Sequence, residues 1–358
     1  MHRFLFLCLL LFIPLDCHAG DFFSVYDLQQ AYESFLNLEQ PLLATKINIK
    51  SKILKLNSNN QEVNNLRMRL SQLGYKIAVE GPFDERLEKI IKTYQQKLGI
   101  EPDGKAGPLT LYNLNLSNDE KIKILQNQLN QMEQIEQLKD QERFILINIP
   151  AYKLYAFENG NLVLESKIIV GRSDRPTPLM DTKITSVIVN PTWTPPPTIV
   201  EKDLFKNGTF NESAFTEHHL AAYDENNNPV EIDPSISLSE LKKQRIKFTQ
   251  PAGKQNPLGR LKFQLANSDD VYMHDTNSHG LFNIYNRNFS SGCIRIEKYM
   301  DLSSWVLNEP KKKIEELINK NETIGILTKK IPVKTVYWLA ENAGGEVLFH
   351  SDIYNLYK

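Results

Sequence analysis

The residues best suited to chemistry lie in Tyr272-Met273-His274-Asp275-Thr276 and Phe289-Ser290-Ser291-Gly292-Cys293-Ile294-Arg295-Ile296. Cys293 follows His274 by 19 residues. Its Ser-Ser-Gly lead-in suits a tight turn whose backbone N–H groups can hold a tetrahedral oxyanion. Val271 to His274 and Ile294 to Ile296 read as strand ends, so the intervening loop returns Cys293 beside His274. An imidazole next to a thiol lowers its pKa and yields a thiolate nucleophile. The competing reading is a buried structural thiol near an unrelated histidine. A papain-like arrangement is disfavoured, because there the cysteine precedes the histidine.

Cysteine usage sharpens this reading. The chain has three cysteines, Cys8, Cys17 and Cys293. Met1-His2-Arg3 is a basic head, Phe4 to Leu15 an apolar run of 12 residues, and Cys17-His18-Ala19 a small-residue cleavage site. That layout predicts a secretory signal peptide over 1–19, since a membrane span needs about 20 apolar residues. Asp16 before Cys17 argues against a lipoprotein site. Cleavage leaves 339 residues with one thiol, which allows no internal disulfide. In an oxidising compartment such a thiol is either buried and inert or a nucleophile.

Composition bounds the remaining classes. The 358 residues suggest about two domains plus linkers. With 42 basic against 43 acidic residues, no global charge draws the chain to nucleic acid or anionic lipid. The 41% hydrophobic share supports a packed core. A disordered chain, a collagen, a disulfide-stapled miniprotein and a polytopic membrane protein are excluded.

The elements that position the reactive residues divide the chain. Residues 20–58 read as helical around Leu28, Tyr32, Phe35, Leu36 and Leu38. Residues 59–117 carry a weak duplication: Leu73-Gly74-Tyr75 and Gly81-Pro82-Phe83-Asp84, then Tyr94-Gln95, Leu98-Gly99-Ile100, Asp103-Gly104 and Gly107-Pro108-Leu109-Thr110. Each half is a helix ended by a glycine turn. The pattern resembles the small three-helix peptidoglycan-binding domain, with Glu80-Gly81 in place of its first Asp-Gly and Leu87 in place of a threonine. A helical spacer without ligand is the other reading. Over 118–143, Ile122, Leu125, Leu129 and Met132 form one apolar stripe, read as a linker helix packed on its neighbour.

From Phe144 the period becomes that of strands. Phe144 to Ile149, Lys153 to Phe157, Leu162 to Val170 and Ile184 to Asn190 are rich in β-branched residues, and Asn159-Gly160 signals a hairpin. Residues 198–247 break the rhythm with polar, helical character and suggest a mobile lid. Trp193-Thr194-Pro195-Pro196-Pro197 reads as an aromatic cleft wall or a rigid turn. His218-His219 lacks a metal-binding frame, and no metal or other cofactor is expected.

His274, the 19-residue interval and Ser290-Ser291-Gly292-Cys293-Ile294-Arg295 resemble the L,D-transpeptidase (YkuD) catalytic domain. The resemblance extends to Asn148-Ile149-Pro150-Ala151-Tyr152-Lys153-Leu154-Tyr155, Ile169-Val170-Gly171, Asn190-Pro191-Thr192-Trp193 and Asn256-Pro257-Leu258-Gly259. It covers 144–330, with a closing segment at 331–358. Many relatives carry histidine where this chain has Ser291. The implied architecture is α+β and multidomain: a mostly β barrel or sandwich with a helical lid insertion, preceded by the small all-α module.

The resemblance also implies chemistry. The substrate would be a peptidoglycan stem peptide. Cys293 would attack the carbonyl of its third residue, D-alanine would leave with a proton from His274, and an amine from another stem would form a 3→3 cross-link. Gly292 and Cys293 N–H groups would hold the oxyanion. Tyr272 shares a strand face with His274 by the two-residue period and would orient it or join the oxyanion site. Ser291, Arg295 and Trp193 are the substrate-binding candidates, with Arg295 pairing either a substrate carboxylate or a structural partner. Water as acceptor would make the protein an L,D-carboxypeptidase, and a protein lysine would attach a partner to the wall. The implied location is the periplasm and cell envelope.

Overall fold

A computed structural model describes residues 25–37, 46–48, 53–132, 135–206, 208–266, 271–342 and 346–357. The expected signal peptide lies outside the described residues.

The amino-terminal part is helical. Helix α1 spans Val25–Leu36. Helices α2 (Gln61–Gln72) and α3 (Glu85–Lys97) begin at Asn60 and Asp84, whose side chains accept the N–H groups of Val63 and Leu87; such caps satisfy donors that the first turn leaves open. Helix α4 (Pro108–Asn115) starts with proline. These three helices close around Val63, Leu66, Leu70, Phe83, Leu87, Ile91 and Leu111. Helix α5 (Asn118–Met132) buries Leu125 and Met132 against Leu28 of α1, as expected of a packed linker.

Nine strands form the main sheet: β1 (Arg143–Asn148), β2 (Lys153–Glu158), β3 (Asn161–Gly171), β4 (Asp181–Val189), β5 (Leu261–Leu265), β6 (Met273–His274), β7 (Asn288–Ser290), β8 (Ile294–Ile296) and β9 (Ile324–Val336). Their order is β7-β3-β8-β6-β5-β4-β9-β1-β2, and β2 also pairs with β3. That last pairing closes β3 through β2 into a barrel and leaves β7 outside. The β2–β3 hairpin turns at Asn159 and Gly160, both at positive φ, as the Asn-Gly signal predicts. Alternate residues point inward: Ile145, Ile147, Ile168, Val170, Val187, Phe263, Met273, Ile294 and Val333 share one core. The other face of β1, with Phe144 and Leu146, is covered by α1 and α5. Burial on both faces explains why β1 reads as a continuous apolar run.

The segment after β4 is less helical than the sequence suggested. It contains short helices at Glu212–Glu217 and Leu238–Lys243. It also holds a hairpin, Phe205–Lys206 with Thr209–Phe210, and a small sheet of Ala221–Tyr223, Pro229–Val230 and Lys247–Thr249. Leu204, Phe205, Phe210, Leu220, Leu241 and Phe248 give it its own core. Paired backbone bonds between Trp193 and Gln250 close its base. The 57-residue gap between those two made this pairing invisible to local patterning.

A final hairpin, β10 (Ala340–Asn342) with β11 (Val347–Phe349), ties the two halves together. Asn113 of α4 exchanges two bonds with the Phe349 backbone, each 2.9 Å. Gln128 of α5 does the same with Ala340. Leu348 enters the core of the helical module. Underneath, the buried Glu341 carboxylate accepts from Asn148 and Tyr155 and sits 3.1 Å from His350. His350, the Lys153 charge and the Asn148 bond overcome its desolvation and hold its pKa down at about 2.

Leu348→Ala should lower stability by about 2–5 kcal/mol, the usual cost of emptying a buried leucine site. Amide exchange should accelerate first in α2–α4, while reaction of Cys293 with a soluble acylating agent is retained.

Candidate active site

The parallel pairing of β6 with β8 sets the site. Met273 lies opposite Ile294 and His274 opposite Arg295, and the Ile294 N–H donates to the Tyr272 carbonyl at 3.1 Å. Because residues two apart share a face, Tyr272, His274, Cys293 and Arg295 all project to one side, opposite Met273 and Ile294 in the barrel core. Lys262 pairs with His274 from β5 and adds a fifth side chain, its Nζ 4.0 Å from the Tyr272 ring centre. Lys262 carries no motif signal; only the register reveals it.

Cys293 is half-buried against the core of the insertion, which also includes Tyr272. Tyr272 hydrogen-bonds the thiol through both backbone and side chain. The Tyr272 and His274 rings are 5.6 Å apart. His274 is buried, and its Nδ1 has no hydrogen-bond partner. A neutral imidazole with its proton on Nε2 therefore presents a lone pair at Nδ1.

The electrostatics differ from the expected thiolate–imidazolium pair. Burial pushes the Cys293 thiol up, and the Tyr272 bonds and the charges of Lys262 and Arg295 only partly offset it. Burial, then the Arg295 charge, pushes His274 down to about 3. The resting pair is thus neutral on both members. Burial, which the sequence does not display, is the largest influence on both groups.

Two sequence-derived roles change. The Gly292 N–H donates to Ser290 Oγ at 3.1 Å, so it is not directed at an oxyanion. The glycine is required by its φ of +114°, and its carbonyl accepts from Thr177 Oγ1 at 2.8 Å. Trp193 is buried in the insertion core, its ring 5.8 Å from His218, so it supports the insertion rather than forming an open cleft wall. Ser291 Oγ accepts from Arg175 Nη1 at 3.1 Å. Arg175 also grips Asp203 of the insertion with two bonds of 2.9 and 2.8 Å. This strut joins the cysteine loop to the insertion, and sequence reasoning missed it because its three residues are far apart in the chain. Arg295 forms no ion pair among the described residues, and its Nε has no partner.

Supporting contacts hold the loops. Asp275 accepts the Arg260 N–H at 2.8 Å and lies 3.2 Å from His279. Gly259, at φ +62°, leaves room for it: a Cβ there would fall 2.7 Å from the Asp275 Cβ. Asn256 donates to the carbonyls of Pro191 and Pro251 and accepts from Leu258 N–H. Tyr354 Oη donates to the Gly171 carbonyl and accepts from Thr177 N–H. Among the described residues no group of three His, Cys, Asp or Glu side chains converges as metal ligands.

The family model for the L,D-transpeptidase catalytic domain (YkuD) matches residues 142–332, more than half of the chain. The chain belongs to the L,D-transpeptidase family. A second model, described as "Putative peptidoglycan binding domain", matches 59–114. A Haemophilus influenzae protein named "Putative L,D-transpeptidase" is 36% identical over 215 residues, 59% of this chain and 44% of its own length. The chain thus matches under half of that curated relative. Among solved structures, an L,D-transpeptidase from Xylanimonas cellulosilytica aligns with TM-score 0.27 and 14% identity over 83% of this chain and all of that one. L,D-transpeptidase 1 of Mycobacterium tuberculosis aligns with TM-score 0.21 and 12% identity over 55% and 61%.

A histidine buried neutral costs stability once the unfolded chain takes up its proton. With the folded pKa near 3 and the ordinary value 6.5, this cost is absent above about pH 6.5. It then grows by about 1.4 kcal/mol per unit as the pH falls toward 3. His274→Gln should therefore flatten the acid limb of a denaturation series between those pH values.

Gly259→Ala should lose both stability and acylation, because it strains the backbone and displaces Asp275. Thermal melting together with adduct mass spectrometry checks both effects.

Proposed function

We propose that the chain is a cysteine-dependent L,D-transpeptidase of the cell envelope, acting on peptidoglycan stem peptides and forming 3→3 cross-links. The observation that carries this reading is the single face that joins a thiol, an imidazole whose Nδ1 has no partner, a phenol and a guanidinium that forms no ion pair among the described residues. Membership of the family and the match over 59–114 support peptidoglycan as substrate.

In the acylation step Cys293 Sγ bonds to the carbonyl carbon of the third stem residue while its proton passes to His274 Nδ1. Because both groups rest neutral, proton transfer accompanies attack rather than preceding it. The Tyr272 hydroxyl, already in reach of the thiol, donates to the developing oxyanion. Lys262 stabilises negative charge at the same place. The tetrahedral intermediate collapses, the imidazolium returns its proton to the departing D-alanine amine, and a thioester remains. In the second step His274 Nδ1 takes a proton from the acceptor amine as its nitrogen attacks the thioester, and Cys293 is regenerated. Arg295 binds a stem carboxylate by a charge-assisted bond. A stem peptide, a protein lysine or water can serve as acceptor; the basic signal-like head and apolar run at the amino terminus support export to the periplasm.

Purified protein incubated with disaccharide-tetrapeptides should release D-alanine and give a 3→3 dimer by mass spectrometry. Tripeptide alone would instead identify a carboxypeptidase. Cys293→Ala should fold and form neither acyl-enzyme nor product, a loss of several orders of magnitude; wild-type turnover in that variant would remove the assignment.

The neutral resting pair gives a distinct pH signature. Acylation by a carbapenem should show a plateau across neutral pH, because neutral His274 and protonated Cys293 are the reactive forms. In His274→Ala the rate should fall and climb with pH as the thiol ionises. Superimposable profiles would retire His274 as the base.

A further inference from the structure

Arg69 of α2 is 1% exposed, yet Nε, Nη1 and Nη2 all lack a hydrogen-bond partner. An uncompensated buried guanidinium is costly, and burial lowers its pKa. It borders a cavity of about 140 Å³ between the helical module, α5 and the final hairpin. Lys121 of α5 lines the same space, its Nζ 5.0 Å from the Phe35 ring centre and 6.0 Å from that of Phe349. Lys97 also lines it, 3.7 Å from the exposed Glu346. Three cations thus face one carboxylate. Glu120, whose charge acts on Arg69, is engaged with Lys46 at 3.1 Å.

Lys121, Tyr94 and Glu346 also line an adjoining cleft of about 900 Å³ walled by Phe35, Leu98, Val347 and Phe349. That is far more room than a lone inorganic anion fills. Asp27 and Glu346 line this outer part and suit a ligand that also carries ammonium groups.

We propose that this cleft is a second binding site for an acidic peptide, one carboxylate of which pairs with Arg69 while Lys121 closes over it. The identity of the peptide as a peptidoglycan stem rests on the function proposed above. The guanidinium offers a planar fork that matches a carboxylate, and the aromatic walls take the apolar part of the chain. The site lies on elements from both the helical module and the carboxy-terminal hairpin, so its occupation bridges them. It would hold the wall polymer at a place separate from Cys293.

The test uses the full chain carrying Cys293→Ala, titrated calorimetrically with disaccharide-tetrapeptide. Two binding events are expected, at the cysteine cleft and here. Arg69→Met should abolish the second, and Lys121→Met should weaken it at least tenfold. Arg69→Met should melt no lower than its parent, since it removes an uncompensated buried charge; should that variant fail to fold, Lys121→Met decides. Amidating the peptide carboxylates should remove the second event, and inorganic phosphate should displace the peptide only weakly. A second event unchanged in both variants, or absent from the parent, overturns the proposal. Phosphate binding as tightly as the peptide overturns the acidic-peptide assignment. With an intact Cys293, Arg69→Met should still be acylated by a carbapenem at the parent rate. Loss of acylation in the unaltered chain would strike the catalytic reading and leave the calorimetric result standing.

Discussion

The parallel register between β6 and β8 is the constraint on which the site depends. A slip of one residue would turn every side chain of one strand to the opposite face, carrying Cys293 and Arg295 into the barrel interior and Ile294 out of it. The interior opposes such a slip, because Met273, Ile294 and Ile296 pack there with Phe263 and Val187. The apolar core thereby fixes the positions of the reactive groups, although it touches none of the chemistry.

Burial then decides the protonation states. The insertion covers the thiol, and the loss of solvent disfavours both thiolate and imidazolium. Arg295 and Lys262 act asymmetrically on the pair: they favour a negative sulfur and disfavour a positive ring. A carbonyl entering the site brings new partners for the charge that develops. The low dielectric that keeps the resting groups neutral strengthens those interactions during reaction. The Arg175 strut from Ser291 to Asp203 makes the covering segment part of the same machinery.

Much of the arrangement was legible in the chain. Cysteine and histidine are rare, and a turn sequence before the thiol has few other uses, so the pair stood out. Asn159-Gly160, the Asn60 and Asp84 caps and the α5 stripe follow from local backbone preferences. What escaped were features set by distant partners. The small sheet of the insertion depends on Trp193 meeting Gln250, and Lys262 enters only through register with His274. The Gly292 N–H looked available because Ser290 Oγ could not be seen turning back to it. The raised thiol pKa escaped for a related reason: enclosure belongs to the folded chain, not to the motif.

The Tyr354 phenol joins residues separated by 183 and 177 positions, and Thr177 reaches Gly292 across 115. Contacts of such sequence separation must overcome a loop-closure entropy before they reward the chain, as must the barrel's own pairing of Ile145 with Val333. The turn bearing Cys293 is therefore shaped in part by the docking of the segment around Tyr354. Cleavage between Tyr337 and Tyr354 would thus withdraw support from the Cys293 turn while leaving all nine strands of the main sheet uncut.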